Sequence, residues 1–245
     1  MKTSQDAYGT AMYDFHRGRP AALLIERDDG YIDADLPMTY YFAQYRDWRA
    51  HEKAALKHAT GRVLDVGCGA GRHAVYLQKR GLKVLGIDVS PRAIKTSRLR
   101  GLKVARVCPV DRVTRRLGVF DTILLLGNNF GLFGSSRRAK ALLRRFHDLT
   151  SAGAWIIAEC LDPYDTSNPS HLAYQRRNKA RGRMAGQLRL RARYQRRATP
   201  WFDYLFVSKT EMAKIVDGTG WRITRTLSGR GPTYIALIHK VNTGV

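Results

Sequence analysis

Three cysteines, Cys68, Cys108 and Cys160, are spread through 245 residues. An odd number at such distances makes neither a disulfide framework nor the close pairs that chelate zinc, so reduced thiols packed in the core are expected. No apolar run reaches the roughly 18 residues of a membrane helix, and the opening MKTSQDAYGT lacks the apolar centre of a signal peptide. These absences predict a cytoplasmic chain. No internal repeat or low-complexity tract interrupts it, and 44% hydrophobic residues supply the core of one sizeable domain with accessories.

Acidic residues are scarce: 20 Asp and Glu stand against 43 Lys and Arg, a formal charge of +23. A surplus of this size attracts polyanions at low salt, and it is equally compatible with an Arg-rich composition that serves solubility alone. The deficit is sharpest over residues 166–202, which hold ten basic residues from Arg176 to Arg197 and no acid. Within that stretch, QLRLRARYQRR alternates Leu188, Leu190, Ala192 and Tyr194 with Arg189, Arg191 and Arg193. A strand there buries one face and presents guanidiniums on the other.

Elsewhere the pattern is regular. RVLDVG, KVLGID, KVARVCPVD, FDTILLLG and AWIIAEC read as five apolar strands, separated by helical stretches such as RHAVYLQKRG and SSRRAKALLRRFHDLT. In SPRAIKTSRLRG, Ser90 is the N-cap, Pro91 the first helical residue and Gly101 lies past the end. SKTEMAKIVDG has Glu211 three residues after Ser208, a capping-box spacing, and WRITRTL with TYIALIHK makes a closing hairpin. Apolar strands alternating with helices mean a mostly parallel sheet covered on both faces. Upstream, a short helix is expected over 7–15, a loop at DDGYIDADLP, and one amphipathic helix over 35–59, where Tyr41, Tyr45, Trp48, Glu52 and Leu56 fall at helical spacing. The expected organisation is an N-terminal helical cap, 1–60, and a core, 61–245, carrying a basic β-containing insert at about 166–202.

The chemistry concentrates in LDVGCGAGRHA. Gly67, Gly69 and Gly71 follow an apolar strand and precede a helix, the general device for presenting backbone N–H groups to a ligand. Arg72 stands where the dinucleotide fingerprint requires its third glycine, which speaks against a nicotinamide oxidoreductase. Asp65 precedes the turn and Asp88 ends the next strand, 21 residues after Gly67, where an acid can accept from ribose hydroxyls. Asp111 follows the third strand.

From about Gly61 to Pro163, with a tail to Lys240, the chain resembles the class I S-adenosylmethionine-dependent methyltransferases. The resemblance implies a Rossmann-like α/β fold with a seven-stranded sheet, its C-terminal antiparallel strand inserted beside the fifth. It implies S-adenosyl-L-methionine as cofactor and no metal. The turn from Asp65 through Gly67, Cys68, Gly69 and Gly71 would contact the methionine part, and Asp88 with Val89 the ribose. Asp111 would reach the adenine amino group, a role open also to Val110 or Arg112, and Gly127 would complete the cofactor contacts.

The loop GNNFGLFG, after the fourth strand, is where a methyl acceptor is expected. Asn128 and Asn129 offer amides, and Phe130 and Phe133 an apolar wall. Candidate bases at the rim are Glu159, Asp162, Tyr164 and His171; Asn128, Asn129 and His171 are the catalytic candidates carried forward. The expected reaction is methyl transfer to an N or O atom of a small, anionic metabolite. Alternatives are an RNA or other polyanion methyltransferase using the basic surface, an aminopropyl transferase, disfavoured because a cationic protein repels diamines, and a non-catalytic cofactor-binding module.

Overall fold

Residues 2–241 are described in a computed structural model of the chain. Helix α1 (Ala7–His16) leads into the antiparallel pair β1 (Ala22–Arg27) and β2 (Ile32–Pro37), then short helices α2 (Thr39–Phe42) and α3 (Ala50–Leu56). Strand and helix then alternate through β3 (Arg62–Val66), α4 (Arg72–Lys79), β4 (Lys83–Asp88), α5 (Pro91–Leu99), β5 (Val104–Val107) and β6 (Phe120–Leu125). Helix α6 (Ser136–Asp148), β7 (Thr150–Leu161) and α7 (Pro169–Ala180) precede β8 (Gln187–Tyr194), β9 (Arg197–Ala198) and β10 (Phe202–Leu205). The chain closes with α8 (Lys209–Val216), β11 (Trp221–Ser228) and β12 (Thr233–Lys240).

The larger sheet has seven strands in the order β11-β12-β7-β6-β3-β4-β5. Strands β4 and β5, and β6 and β7, pair in parallel. Strand β12 runs antiparallel beside β7, the fifth strand of the alternating series, and β11 antiparallel beside β12. The Rossmann-like α/β expectation holds down to the inserted antiparallel strand. Its punctuation holds as well: Ser90 Oγ accepts from Ala93 N, Pro91 opens α5, and Ser208 and Glu211 form a reciprocal capping box on α8.

Contacts divide the chain into two units: residues 1–48, 64–113 and 189–202 form the first, and 49–63, 114–188 and 203–245 the second. In the first unit, β8 pairs antiparallel with β1, which pairs with β2. Leu190, Ala192 and Tyr194 of β8 are buried while Arg189 and Arg193 are exposed, as the alternation predicts. Glu26 on β1 accepts from Arg191 Nε at 2.8 Å and Nη2 at 2.9 Å, and from Arg193 Nη1 at 3.2 Å. The basic stretch thus joins a sheet begun by the N-terminal segment, with part of its charge paired there.

Three expectations need correction. The single helix over 35–59 is broken: residues 32–37 belong to β2, and Ala43, Gln44, Trp48 and Arg49 have extended backbones between short helical pieces. Aromatic residues are weak helix formers, and here ring contacts prevail over helical spacing. Trp48 Nε1 donates to Ala43 O at 2.9 Å across the break, and Tyr45 stacks on Tyr76 with centroids 4.4 Å apart. The loop at DDGYIDADLP contains β2, and Gly30, at φ +88°, makes the Asp-Gly turn that pairs it with β1. The insert also contains α7, whose start follows cap rules: Asn168 Oδ1 accepts from Ser170 N and Pro169 occupies the first helical position.

Candidate cofactor-binding site

Strand β3 ends in a turn whose glycines adopt left-handed backbone, with φ of +71° at Gly67, +51° at Gly69 and +77° at Gly71. Such angles strain any residue with a Cβ. Close approach adds to the requirement, since a Cβ on Gly69 would lie 3.1 Å from Met12 Cε and one on Gly71 3.1 Å from Ser97 Cβ. The turn is tied to the next strand: Gly67 N and Cys68 N donate to Ile87 O at 2.8 and 3.0 Å. Gly69 N donates to Asp88 Oδ2 at 3.0 Å, and Ser90 N to Asp88 Oδ1 at 2.9 Å. Arg100 Nη1 braces the turn by donating to Ala70 O at 2.7 Å.

Two carboxyls sit in this turn under electrostatic stress. Burial pushes Asp65 up to about 6, against the lowering influence of the His73 charge and of a hydrogen bond from the Ala74 backbone, while the Asp88 charge raises it further. Its Oδ2 is buried without a hydrogen-bond partner. Asp88 is likewise raised to about 6, chiefly by burial, although N–H groups of Ser90, Gly69 and Val89 favour its ionised form. A bound cation relieves both penalties. Cys68 packs where a Cβ on Gly86 would come within 2.8 Å of its Sγ, and burial holds its thiol well above the ordinary range. It is a filler, not a nucleophile.

The structure therefore brings Asp65 at the end of β3, Gly67, Cys68, Gly69 and Gly71 of the turn, and Asp88 at the end of β4 together, with Val89, 43% exposed, directly after Asp88. Asp111 lies exposed on a short 3-10 turn, Val110–Arg112, beyond β5. Sequence reading missed the support behind them. Asp6 Oδ1 accepts from Ser90 Oγ at 2.7 Å and from Gly9 N at 3.0 Å, and its Oδ2 from Arg92 N at 3.1 Å. An N-cap Asp was legible in SQDAYG, but its second role, 84 residues away, was not.

The second unit holds the loop after β6. Gly127 N donates to the buried Glu159 Oε2 at 2.6 Å, which makes Glu159 the anchor of this loop. Asn128 takes a left-handed backbone, φ +63°, its carbonyl accepts from Tyr204 OH at 2.6 Å, and its Oδ1 is buried without a partner. Asn129 opens the 3-10 helix Asn129–Phe133. Phe130 and Phe133 are fully buried against each other and so form core, not a wall open to a ligand. His171 lies in the first turn of α7 with Nδ1 3.2 Å from Thr166 Oγ1. Tyr164 OH donates to Glu211 Oε1 at 2.8 Å, and burial with that carboxylate raises the phenol to about 12, so it stays protonated near neutrality.

The methyltransferase-domain family matches residues 63–153, from β3 into β7. A solved S-adenosylmethionine-dependent methyltransferase from Bacteroides fragilis, in complex with S-adenosyl-L-homocysteine, is 27% identical with a TM-score of 0.83 and pairs 98% of this chain with 97% of that one. Residues 63–153 thus carry a methyltransferase domain of the class I S-adenosylmethionine-dependent kind. Among curated relatives, the ubiquinone biosynthesis O-methyltransferase of Xanthomonas oryzae pv. oryzae (strain PXO99A) is 35% identical over 97 residues, covering 37% of this chain and 41% of that protein. The glycine/sarcosine N-methyltransferase of Parasynechococcus marenigrum (strain WH8102) is 33% identical over 127 residues, 45% of each chain. The matches thus span less than half of these relatives' lengths. The CcbJ methyltransferase of Streptomyces caelestis, at 13% identity and a TM-score of 0.64 over 98% of this chain and all of that one, shares the fold. Among the described residues, no helix is long and apolar enough to cross a membrane.

Proposed function

We propose that the protein binds S-adenosyl-L-methionine at the Gly67–Gly71 turn and transfers its methyl group to an N or O atom of a small, anionic acceptor. The observation that carries the cofactor assignment is the buried Asp65 Oδ2, left without a partner beside three left-handed glycines. That oxygen suits an ammonium donor, and the bare turn suits an amino-acid chain lying against the backbone. Asp88 has about four acceptor positions on its two oxygens, so it can take up a ribose hydroxyl while still holding the loop. Two acids in a chain of charge +23 make this turn locally suited to a cation. The bound Bacteroides fragilis relative supports the same reading.

When bound, the cofactor supplies a methyl group made electrophilic by its sulfonium charge. The chain's part is positioning and exclusion of water, which suffices for in-line transfer to a nucleophile with an available lone pair. Asn128 Oδ1 would accept from the hydroxyl or amine of the acceptor and so orient it, with Asn129 and Gly127 in the same loop. His171 and Asp162, whose Oδ1 accepts from Tyr164 N at 3.0 Å, are the remaining candidate bases, because Glu159 is committed to Gly127 N and Tyr164 does not ionise near neutrality. The excess of arginine on β8, where Arg189 and Arg193 are exposed and Glu26 offsets only part of the charge, supports an anionic acceptor.

The total charge favours a second reading, a polyanion such as RNA as the methyl acceptor. Label transfer from S-adenosylmethionine to hydroxyaromatic acids, amino acids and short RNAs, at low and moderate salt, separates the two. Turnover of a small acid with weak salt dependence is the expected result. RNA turnover that collapses with added salt would replace it, and label transfer to none of them would leave a cofactor-binding module.

A further inference from the structure

His51 stands in the first turn of α3, on the face that also buries Glu52, Ala55 and Leu56. It is 8% exposed, and its Nε2 is buried without a hydrogen-bond partner. A polar atom left so in the interior costs stability, and a functional role is one reason to keep it. The ring lies against Gly229, in the turn between β11 and β12: a Cβ on that glycine would fall 2.5 Å from His51 Cε1 and 3.0 Å from both ring nitrogens. Gly229 N donates to Thr233 O at 3.0 Å, and Arg49 Nη1 donates to Thr233 Oγ1 at 3.0 Å. The start of α3 and the tip of this hairpin are thereby held together.

Strand register puts that tip at the acceptor end of the sheet. Thr233 pairs with Leu161, two residues beyond Glu159 on β7, and Asp162 N donates to Pro232 O at 2.8 Å. On its other edge β7 pairs with β6, and Glu159 holds Gly127 just past the end of that strand. The hairpin tip and the Gly127–Asn129 loop thus leave the same end of three adjacent strands, about 10 Å apart at two strand spacings. Each side of this gap has a buried atom that lacks a partner, His51 Nε2 on one and Asn128 Oδ1 on the other. Two neighbouring hydroxyls on one molecule reach partners at most about 8 Å apart, a span of the same order. The other rim candidates are already engaged: Asp162 Oδ1 accepts from Tyr164 N, and His171 Nδ1 lies 3.2 Å from Thr166 Oγ1. His147 Nε2 is also buried without a partner, but His147 is at the end of α6 beside the first residue of β7, at the opposite end of that strand.

We propose that His51 is the general base of the transfer, and that the acceptor is a small acid bearing two neighbouring hydroxyls, one donating to His51 Nε2 and the other to Asn128 Oδ1. The inference rests on the methyl-transfer reading above and deepens it by naming the nucleophile as a hydroxyl oxygen. With its proton on Nδ1, the imidazole carries a lone pair on Nε2. Nε2 takes the hydroxyl proton and becomes imidazolium while the oxygen's electron pair forms the O–C bond. The S–C bond breaks with its pair returning to sulfur, and the imidazolium passes the proton to water. Arg49, exposed two residues before His51, offers a guanidinium to the carboxylate of the acceptor.

Label transfer from S-adenosylmethionine to protocatechuate, to its nitro derivative, whose phenol is already ionised at neutral pH, and to glycine tests this, with S-adenosylhomocysteine affinity measured alongside. His51→Gln is expected to lower kcat on protocatechuate by about 100-fold or more, and by less than about tenfold on the nitro derivative, which has no proton to lose. Its affinity for S-adenosylhomocysteine is expected to stay within about twofold of wild type, which a misfolded variant would not show. Gly229→Ala, whose Cβ pushes the imidazole aside without replacing it, is expected to lower turnover of protocatechuate in the same selective way. In the complex with S-adenosylhomocysteine, protocatechuate is expected to shift the imidazole nitrogen resonance that His51→Gln lacks. A kcat within about threefold of wild type in His51→Gln, an equal loss on both phenols, an unmoved His51 resonance, or turnover of glycine alone would each overturn the assignment. Wild-type protein that transfers label to none of the three would instead remove the methyl-transfer reading on which it rests.

Discussion

Asp65→Asn should stabilise the ligand-free protein at neutral pH, although it removes a polar contact of the proposed site. The Asp65 carboxyl moves from an ordinary 3.8 to about 6 on folding, mainly because burial opposes its charge. Below about pH 4 both folded and unfolded states are protonated, and the residue contributes no pH dependence. Between about 4 and 6 the unfolded state releases its proton first, so stability falls as pH rises; above 6 the full penalty is present. At about 1.4 kcal/mol per pH unit the penalty is about 3 kcal/mol, part of it shared with Asp88, whose charge raises Asp65. Asparagine keeps a carbonyl oxygen for the Ala74 N–H and carries no ionisable proton. Urea unfolding of both proteins from pH 4 to 8 should therefore show curves that meet at the acid end and diverge by about 2–4 kcal/mol above pH 6, the variant being the more stable. A variant less stable at neutral pH, or a difference that does not change with pH, would refute the account of Asp65 as a charge confined by burial. Strain relieved by a ligand is the expected signature of a binding residue.

Gly69→Ala places a Cβ at φ +51° and 3.1 Å from Met12 Cε, and urea unfolding should show a loss of about 1–3 kcal/mol together with weaker S-adenosylhomocysteine binding. Glu159→Ala leaves the Gly127 N–H without its acceptor and should cost about 1–3 kcal/mol, while Glu159→Gln, which can still accept, should retain most of that stability in the same assay.

The alternating core was legible because its signals are local. Ser90 and Pro91 at the start of α5, the capping box of Ser208 and Glu211, and the glycine triplet each lie within a few residues of the feature they specify. The failures came where distant contacts prevail over local spacing. Tyr41, Tyr45 and Trp48 sit at helical intervals, yet Tyr45 stacks on Tyr76 and Trp48 meets the rings of His73 and Tyr76, contacts that a continuous helix does not provide for. Two further local signals lie in the sequence: the Asp-Gly turn of the β1–β2 hairpin and the Asn168-Pro169 cap of α7. At the site, Asp65 and Asp88 were readable from their distance to the glycines. The commitment of Glu159 to Gly127 and the latch from Asp6 to Ser90 were not, since each joins elements that only folding brings together.

The central claim is that a nucleoside sulfonium binds at the Gly67–Gly71 turn with Asp88 gripping its ribose. Titration calorimetry of S-adenosylhomocysteine into the wild-type protein and into Asp88→Ala, with both first shown to be folded by circular dichroism, addresses it most directly. Saturable binding to wild type, weakened about tenfold or more in Asp88→Ala, is the predicted result. No heat with wild type, or equal affinity in the two proteins, would contradict it.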